Sequence, residues 1–350
     1  MRPACMTVRV RAVLGLAAFI GMVAGPSFTG AAAALAAQSA ESVVDPYSDY
    51  TDAYVATFSI IARDAATGEL GMGVQSKAFG AGNRAMTAKG GVAIVAHQAA
   101  ANPMYGSMAI ELIERGYSPE EALDQLVRSD DGRDRRQNAI IDIEGRTAAW
   151  TGQGASDWKG HRCGVDYCAQ GNILAGAQVV DAMVRSFESS SGPLAERLMD
   201  ALDAAQAAGG DARGMQSGAI LVVAPRVGGG FSDRVVDIRV DDHREPLAEL
   251  RRILDLQRSG EMIRDIAPLL DAGDMDGALA AAVAACDKSP ENDNAWVALA
   301  NAQLRSGDRD AALESLRRAV ELNPGRRATL PRDRNFESIH ASPDFLRVIR

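Results

Sequence analysis

Aromatic residues are scarce in this sequence, at 5% of 350 residues, and basic residues are outnumbered by acidic ones, 37 against 46. Proteins that bind nucleic acids usually show a basic excess, and many stack aromatic side chains on bases. We therefore expect no nucleic-acid partner. The composition places no such limit on small-molecule substrates.

Common cofactor and catalytic motifs are also missing. The chain has no GxxxxGK[ST], HExxH or GxSxG sequence, and no GxGxxG in a nucleotide-binding context. The run Asp241-Asp242-His243 differs from the ligand spacing of standard zinc sites, and solvated residues at a strand end explain it better. We predict neither a cofactor nor a metal.

Long apolar runs are absent after the first 37 residues. Arg2, Arg9 and Arg11 precede the apolar run 12–24, and Ala34-Leu35-Ala36 follows, which is the order of a secretory signal peptide. We expect residues 1–37 to be a signal peptide, with an uncleaved membrane anchor as the alternative. Since no later segment could span a bilayer, we predict an exported periplasmic or extracellular protein without a membrane span after signal removal.

Cysteine is rare, with four residues, of which Cys5 lies in the signal peptide. Cys163 and Cys168 are close in sequence across a Gly-containing stretch, and in an oxidising compartment they favour a disulfide. Two free thiols and a metal site are the alternatives, and a single CxxxxC pair is a weak zinc pattern.

Residues 55–245 alternate strand and helix patterns after a polar lead-in over 38–54. Strands are predicted at 57–63, 70–76, 91–98, 138–143, 147–151, 218–224 and 234–240, and helices at 103–115, 119–127, 179–188 and 194–207. Hairpins outnumber βαβ crossovers in this order. The pattern predicts an antiparallel α+β layer fold.

Residues 246–350 show helical patterns only, with an internal repeat. The segment 273–290 aligns with 307–324, an offset of 34 residues that is typical of tetratricopeptide helix pairs. The alignment places Cys286 opposite Val320, so we expect Cys286 to be a buried apolar residue. A helix over 247–257 and a short helix near 344–349 are predicted to cap the stack.

Thr57 opens the first strand, and a tight turn and a second strand follow it. A Thr hydroxyl is a weak nucleophile unless a base activates it, and the α-amine of an N-terminal Thr is such a base. Lys77, at the end of the second strand, could stabilise the developing charge. The alternative is that Thr57 is an ordinary strand residue and Lys77 a solvated surface charge.

Several polar residues could line a pocket. His97 and Gln98 end a strand beside Asn102, whose amide could stabilise an oxyanion, or the three could form a structural polar cluster. Tyr105 is either a pocket wall or a core residue. Asn172 either caps a helix or presents its amide to a substrate.

The segment 209–217 is a polar, Gly-bounded loop leading into a strand. Asp211, Arg213 and Gln216 are its candidate substrate-binding residues. Arg213 could bind a substrate carboxylate through its guanidinium group, or it could pair with Asp211 and shape the loop.

The segments 57–73, 96–106, 170–176, 209–217 and 237–243 together resemble an uncharacterised family, domain of unknown function 1028, which is assigned to the N-terminal-nucleophile hydrolase superfamily. The resemblance covers about residues 55–260. It implies a four-layer αββα sandwich with Thr57 as the nucleophile, and relatives in the superfamily often form homo-oligomers. Residues 246–350 are similar in position to a family extension labelled as peptidoglycan-binding.

Two functions follow as hypotheses. The first is an exported hydrolase that cleaves an amide bond of a small or peptide-like substrate, which requires a cut between Ala56 and Thr57 to release the α-amine. The second is a non-catalytic cell-envelope protein that binds a ligand, and docks a protein or peptidoglycan through residues 246–350.

Overall fold

The computed structural model describes residues 57–226 and 233–350 of the chain. The predicted signal peptide (1–37) and lead-in (38–54) lie outside the described residues. Across the described part of the chain, no helix combines the length and the apolar content that crossing a bilayer requires.

The described residues form ten strands in two antiparallel sheets. The six-stranded sheet has the order β10-β9-β2-β1-β8-β7, and the four-stranded sheet has the order β3-β4-β5-β6. The strands are β1 Thr57–Arg63, β2 Leu70–Ser76, β3 Met86–Lys89, β4 Ala93–Ala99, β5 Arg136–Asp142, β6 Thr147–Thr151, β7 Gly160–Gly164, β8 Tyr167–Asn172, β9 Ser217–Val223 and β10 Arg234–Val240.

The sheets pack face to face because their strands are apolar on both faces. On β1, Ile61 points into a core shared with Met72 of the same sheet and Ile94 of the other. Phe58 and Ile60, at the alternate positions, point into a separate core formed with helices. Each strand of this kind therefore carries an inter-sheet face and a helix-facing face.

Helices cover the outer faces of both sheets. They are α2 Met104–Glu114, α3 Pro119–Ser129, α4 Ala177–Ser189 and α5 Leu194–Ala207, whereas the short helix α1 Ala81–Arg84 contributes Ala81 to the core between the sheets. Helices α2 and α3 share a core with the four-stranded sheet, and α4 and α5 share one with the six-stranded sheet. Helix α3 begins with the predicted capping box of Ser118 and Glu121. The predicted mixed fold with antiparallel sheets is confirmed.

Three strands were not expected. Strand β3 is short and half-buried, and its sequence MTAK alternates over only four residues, which is too short for a periodic pattern to be recognised. Strands β7 and β8 form the hairpin that carries the cysteines, and β8 (YCAQGN) is fully buried although half of it is polar or Gly. Sequence periodicity misses β8 because its buried end is lined by amides instead of apolar side chains.

The C-terminal region is entirely helical, as predicted. It contains α6 Pro246–Ala272, α7 Met275–Lys288, α8 Asp293–Arg305, α9 Arg309–Leu322, α10 Arg326–Thr329 and α11 Pro343–Val348, with short 3-10 turns at Leu330–Arg332 and Arg334–Ile339. A further 3-10 turn, Arg133–Arg135, precedes β5. The repeat is visible in the caps: Asp274 and Asp308 each accept a hydrogen bond from the N–H three residues on. Cys286 and Val320 are both buried, so the prediction for Cys286 is confirmed.

Helix α6 is much longer than the predicted helix over 247–257. Leu250 and Leu254, in its first half, pack in the core of the six-stranded sheet, whereas Ile266 and Leu270 pack against α7 and α8. One helix thus contributes to two cores. The two halves of α6 bury different faces of the helix. A single helical periodicity therefore does not extend over its whole length, and the sequence pattern predicts only the first half.

Cys163 and Cys168 form a disulfide directly across the β7–β8 ladder, with their Cα atoms 4.0 Å apart. This confirms the predicted pairing. Cys168 is fully buried in the inter-sheet core, whereas Cys163 is exposed on the edge strand. The bond therefore ties an edge strand to the core.

Removing this disulfide should destabilise the protein. The double variant Cys163→Ser/Cys168→Ser should lose about 2 kcal/mol of unfolding free energy, because a short covalent loop restricts the unfolded chain. Urea unfolding with and without dithiothreitol measures the effect. Cys286→Ser, which removes the free buried thiol, should keep the response to dithiothreitol, and a wild-type protein that ignores dithiothreitol would contradict the prediction.

Candidate functional site

Four polar residues lie side by side at one end of the six-stranded sheet. The ladder registers place Ser217, Ser76, Thr57 and Asn172 in one row across β9, β2, β1 and β8. All four are buried. Cross-strand neighbours share a face of the sheet, and Thr57 lies on the same face of β1 as Ile61, so the row faces the other sheet. The Thr57 hydroxyl donates to Ser76 Oγ at 3.2 Å.

A matching polar row lies on the four-stranded sheet. The registers pair Gln98 with Gln137 and Gln137 with Thr151. Gln98 Nε2 donates to the carbonyl oxygen of Thr57 at 3.1 Å and to Gln137 Oε1 at 2.8 Å. Gln98 Oε1 accepts from the Ser59 hydroxyl at 2.7 Å. Gln98 therefore joins the two sheets directly at the first residue of β1.

Gln137 connects three more strands to this contact. Its Oε1 also accepts from Asn172 Nδ2 at 3.1 Å. Its Nε2 lies within hydrogen-bond distance of Thr151 Oγ1, the Gly160 carbonyl and the Gly171 carbonyl. We call Gln98, Gln137, Gln170 and Asn172 the amide cluster, because all four are buried on the inter-sheet faces.

Polar character ends within two rows of the sheet end. Beyond the amide cluster, the inter-sheet positions are occupied by Ile61, Met72 and Ile94. The site is therefore a polar end of an otherwise apolar interface between the sheets. It consists of neutral amides and hydroxyls, which can donate to and accept from a substrate without carrying charge.

Two residues in the left-handed backbone region follow the amide cluster directly. Ala99 has φ 65° and comes after Gln98, and Ile173 has φ 52° and comes after Asn172. For a residue other than glycine this conformation costs about 1–2 kcal/mol, and it is least favourable for a β-branched side chain. Both strands thus end in strained turns at the same site, which is where functional strain is typically found.

The loop 209–216 packs against the same end of the six-stranded sheet. Asp211 is buried and accepts hydrogen bonds from the Lys77 N–H at 3.0 Å and from Arg213 Nη2 at 3.0 Å. Arg213 thus forms the predicted ion pair with Asp211, which is one of the two roles expected for it. Gln216 contributes its backbone N–H to the Ser76 carbonyl at 3.0 Å, which attaches the loop to the polar row.

Lys77 is exposed, and its ammonium group donates to the Met215 carbonyl at 3.2 Å. It lines an open depression of about 440 Å³ together with Gln216, His243 and Arg244. The side chain therefore reaches along the loop. This depression lies immediately outside the Ser76–Ser217 end of the polar row.

His97 lies on the opposite face of β4 from Gln98. Its Nε2 is 3.0 Å from Thr87 Oγ1, and it is buried beneath the helices of the four-stranded sheet. Burial lowers the pKa of His97 to about 4, so the ring is neutral at pH 7. Adjacent positions of one strand point to opposite faces, and the structure therefore separates His97 from the amide cluster.

Tyr105 and Asn102 also serve the helical layer. Tyr105 donates its hydroxyl to Asp130 Oδ2 at 3.1 Å, and burial together with that carboxylate raises its pKa. It is a core residue, one of its two predicted roles. The Asn102 side chain accepts from the Met104 N–H at 3.1 Å, at the start of α2.

Asn172 is the last residue of β8, and α4 begins later, with Gly176 at its N-cap. The capping alternative for Asn172 is therefore wrong.

Within residues 57–226 and 233–350, no group of three or more His, Cys, Asp or Glu side chains could hold a metal ion.

Several members of the site were not singled out from the sequence: Ser59, Ser76, Gln137, Gln170 and Ser217. Each occupies an inter-sheet position at the polar end of a strand. The available signal was a polar residue at the buried end of an apolar strand, which occurs in β1, β2, β5, β8 and β9. Only the strand pairing brings these ends together.

Residues 57–250 match a family model described as a family of unknown function, DUF1028. This chain belongs to that family. The match begins at Thr57, covers more than half of the chain and confirms the resemblance found in the sequence.

A solved structure of the DUF1028 family supports the assignment. The crystal structure of protein SPO2555 from Silicibacter pomeroyi is 31% identical, covers 57% of this chain and 84% of its own, and superposes with a TM-score of 0.53. No curated protein matches this chain.

The helical tail has a match of its own. Residues 269–330 match a tetratricopeptide repeat model, which confirms the repeat seen at 273–324. Stacked helical repeats form extended concave surfaces that other molecules bind. The tail therefore suggests a protein–protein interaction.

The buried His97 predicts a pH dependence of stability. Its folded pKa of about 4 lies below the ordinary value of 6.5, so the unfolded chain takes up the proton first as the pH falls. The contribution of His97 is fully present above pH 6.5 and declines toward pH 4, by up to about 3 kcal/mol.

Urea unfolding at pH 7, 5.5 and 4 measures this dependence. His97→Gln should reduce the loss of unfolding free energy between pH 7 and pH 4 relative to wild type. His243→Gln, at an exposed position, should leave the loss unchanged. Equal losses in His97→Gln and wild type would contradict a neutral buried imidazole.

Proposed function

We propose that this protein is an N-terminal-nucleophile hydrolase that cleaves an amide bond of a small or peptide-like substrate. The two face-to-face sheets with helices on their outer faces agree with a four-layer αββα sandwich of that superfamily. The polar end of the inter-sheet space supplies the catalytic site, and Thr57 is its nucleophile.

One observation carries this proposal. Thr57 is the first residue of β1, and it lies between Ser76 and Asn172 in the ladder while Gln98 holds its carbonyl oxygen at 3.1 Å. These contacts fix the position of the first residue of a sheet from three sides. The ladder neighbours are common to all residues of β1, but at Thr57 side chains also hold the hydroxyl and the carbonyl oxygen, which is the positioning that a nucleophile requires.

The mechanism requires that the peptide bond between Ala56 and Thr57 is hydrolysed, because only a free α-amine at Thr57 can act as the base. In the proposed reaction, the Thr57 hydroxyl oxygen attacks the carbonyl carbon of the substrate amide, and its proton moves to the α-amine. The C–N bond then breaks, and the leaving nitrogen takes that proton. Water hydrolyses the resulting ester and restores Thr57.

Asn172 is the better of the two candidates for stabilising the oxyanion. Its Nδ2 carries two hydrogens, one of which is directed at Gln137 Oε1, so a second remains for the substrate. Donors of this kind contribute about 3 kcal/mol to transition-state stabilisation.

The Asn102 side chain is instead hydrogen-bonded to the Met104 N–H at the start of α2. Lys77, Asp211, Arg213 and Gln216 line the loop beside the row, where they would contact the part of the substrate outside the sheets.

The proposal includes export. The order of the first 37 residues is that of a signal peptide, and a disulfide between Cys163 and Cys168 is typical of an oxidising compartment. A periplasmic or extracellular enzyme would meet peptide-derived amides there. Assembly as a homo-oligomer remains a prediction by analogy with the superfamily.

A second function is favoured by the tetratricopeptide match over residues 269–330. The tail would dock a protein partner or peptidoglycan, and the sandwich would bind a ligand without hydrolysing it. Docking through the tail is also compatible with a hydrolytic sandwich, since α6 anchors the tail to the sheet core through Leu250 and Leu254.

Variants at Thr57 test the hydrolase. Against a panel of aminoacyl and peptidyl 4-nitroanilides, Thr57→Ala should reduce kcat/KM at least a thousandfold, because it removes the nucleophile. Thr57→Ser should retain measurable activity. Thr147→Ala replaces another Thr that opens a strand, β6, and should retain wild-type activity. Unchanged activity in Thr57→Ala would contradict the mechanism, and a wild-type protein inactive on every substrate would favour the binding function.

A further inference from the structure

Gln170 is the member of the amide cluster whose side chain has no partner. It is completely buried, and neither its Oε1 nor its Nε2 has a hydrogen bond within the described residues. A buried polar atom left without a partner destabilises the folded state, and such groups are rare in native proteins. The acceptor Oε1 and the donor Nε2 of Gln170 therefore lie side by side without a hydrogen-bond partner among the described residues.

The surroundings of Gln170 explain why it is unpartnered. The registers place it between Ser59 on β1 and His161 on β7, and the Ser59 hydroxyl is directed at Gln98. On the facing sheet, the row that follows Gln98, Gln137 and Thr151 consists of Ala96, Ala139 and Ala149. Methyl groups offer no hydrogen bond, so no side chain of that row can satisfy the Gln170 carboxamide.

We infer that Gln170 determines the substrate specificity of the proposed hydrolase by binding a neutral carboxamide of the substrate. This inference rests on the proposed function and names its substrate class. A carboxamide is self-complementary: its oxygen accepts from Gln170 Nε2 while its nitrogen donates to Gln170 Oε1. This two-point match is one that neither a hydrocarbon nor an ammonium group can make.

The charge of the site excludes an acidic substrate group at this position. The amide cluster holds no ionised side chain, and partial burial lowers the pKa of the neighbouring His161, which favours its neutral form at pH 7. A carboxylate placed here would be buried without a counter-charge, which is strongly unfavourable. Gln170 should therefore discriminate a glutamine-like or asparagine-like group from its acid.

Access to Gln170 passes His161 on the edge strand β7. His161 Nδ1 lies 2.9 Å from Thr151 Oγ1 of the other sheet, and His161 is partly exposed to solvent. This contact and the hydrogen bond from Gln137 Nε2 to the Gly160 carbonyl oxygen close the space between the sheets at this edge. A ligand would enter when the His161–Thr151 contact opens.

Calorimetric titration of the mature protein, which contains both the two-sheet region and the helical tail, tests the inference. The two probes are N-acetyl-L-glutamine methylamide and N-acetyl-L-glutamate methylamide at pH 7. We expect the glutamine probe to bind at least tenfold more tightly. Gln170→Leu should remove the preference, and Gln170→Glu, which is closer in shape, should weaken binding of the glutamine probe at least tenfold.

Gln75→Leu is the matched control. Gln75 is also a fully buried glutamine of the six-stranded sheet with an unpartnered Oε1. It is paired with Phe58 and therefore lies on the helix-facing side, so its replacement should keep the preference. Unfolding midpoints of all variants confirm that the folded proteins are compared.

The possible outcomes are separable. Equal affinity for the two probes, no binding of either, or a preference that persists in both Gln170 variants overturns the inference and leaves Gln170 as a site for ordered water. Turnover appears as a steady heat rate, distinct from the binding heats. A preference for the glutamine probe without any turnover would support the binding site and contradict the hydrolase.

Discussion

The hydrogen bond from the Gln98 carboxamide to the Thr57 carbonyl oxygen joins the two sheets at their polar end. Everything distinctive about the site depends on it. Gln98 is held by Ser59 and Gln137, and Gln137 is held by Asn172 and the backbone of β7 and β8. Because Gln98, Gln137 and Asn172 are hydrogen-bonded to one another, the first residue of β1 is fixed without any charged group.

This arrangement divides the inter-sheet space in two. Ile61, Met72 and Ile94 fill most of it and supply the apolar burial that holds the sheets together. In the two rows nearest Thr57, hydrogen-bonded polar side chains take the place of apolar ones. The strained residues Ala99 and Ile173 lie at the edge of these rows. Such a local departure from apolar packing, maintained by the surrounding core, is what a pre-organised site requires.

Much of the fold was predictable from the sequence, and less of the site. The strand and turn patterns located β1, β2, β6 and β10 to the residue, and the 34-residue repeat located the tail helices. Thr57 and Gln98 were identified as polar strand-end residues, and Asn172 was identified as a residue before a helix that could cap it or contact a substrate. Gln137 and Gln170 were missed because only strand pairing, which involves contacts distant in sequence, brings them to the site. His97 was wrongly grouped with Gln98, because the sequence does not show which face of β4 packs against the other sheet.

The account's central claim is that Thr57 becomes the amino-terminal residue of the working protein. The most direct test is amino-terminal sequencing combined with intact mass, performed on protein purified from the compartment in which it acts. The account predicts a chain that begins at Thr57, with the bond to Ala56 hydrolysed. A chain that begins near Gln38 and still contains the Ala56–Thr57 bond would contradict it.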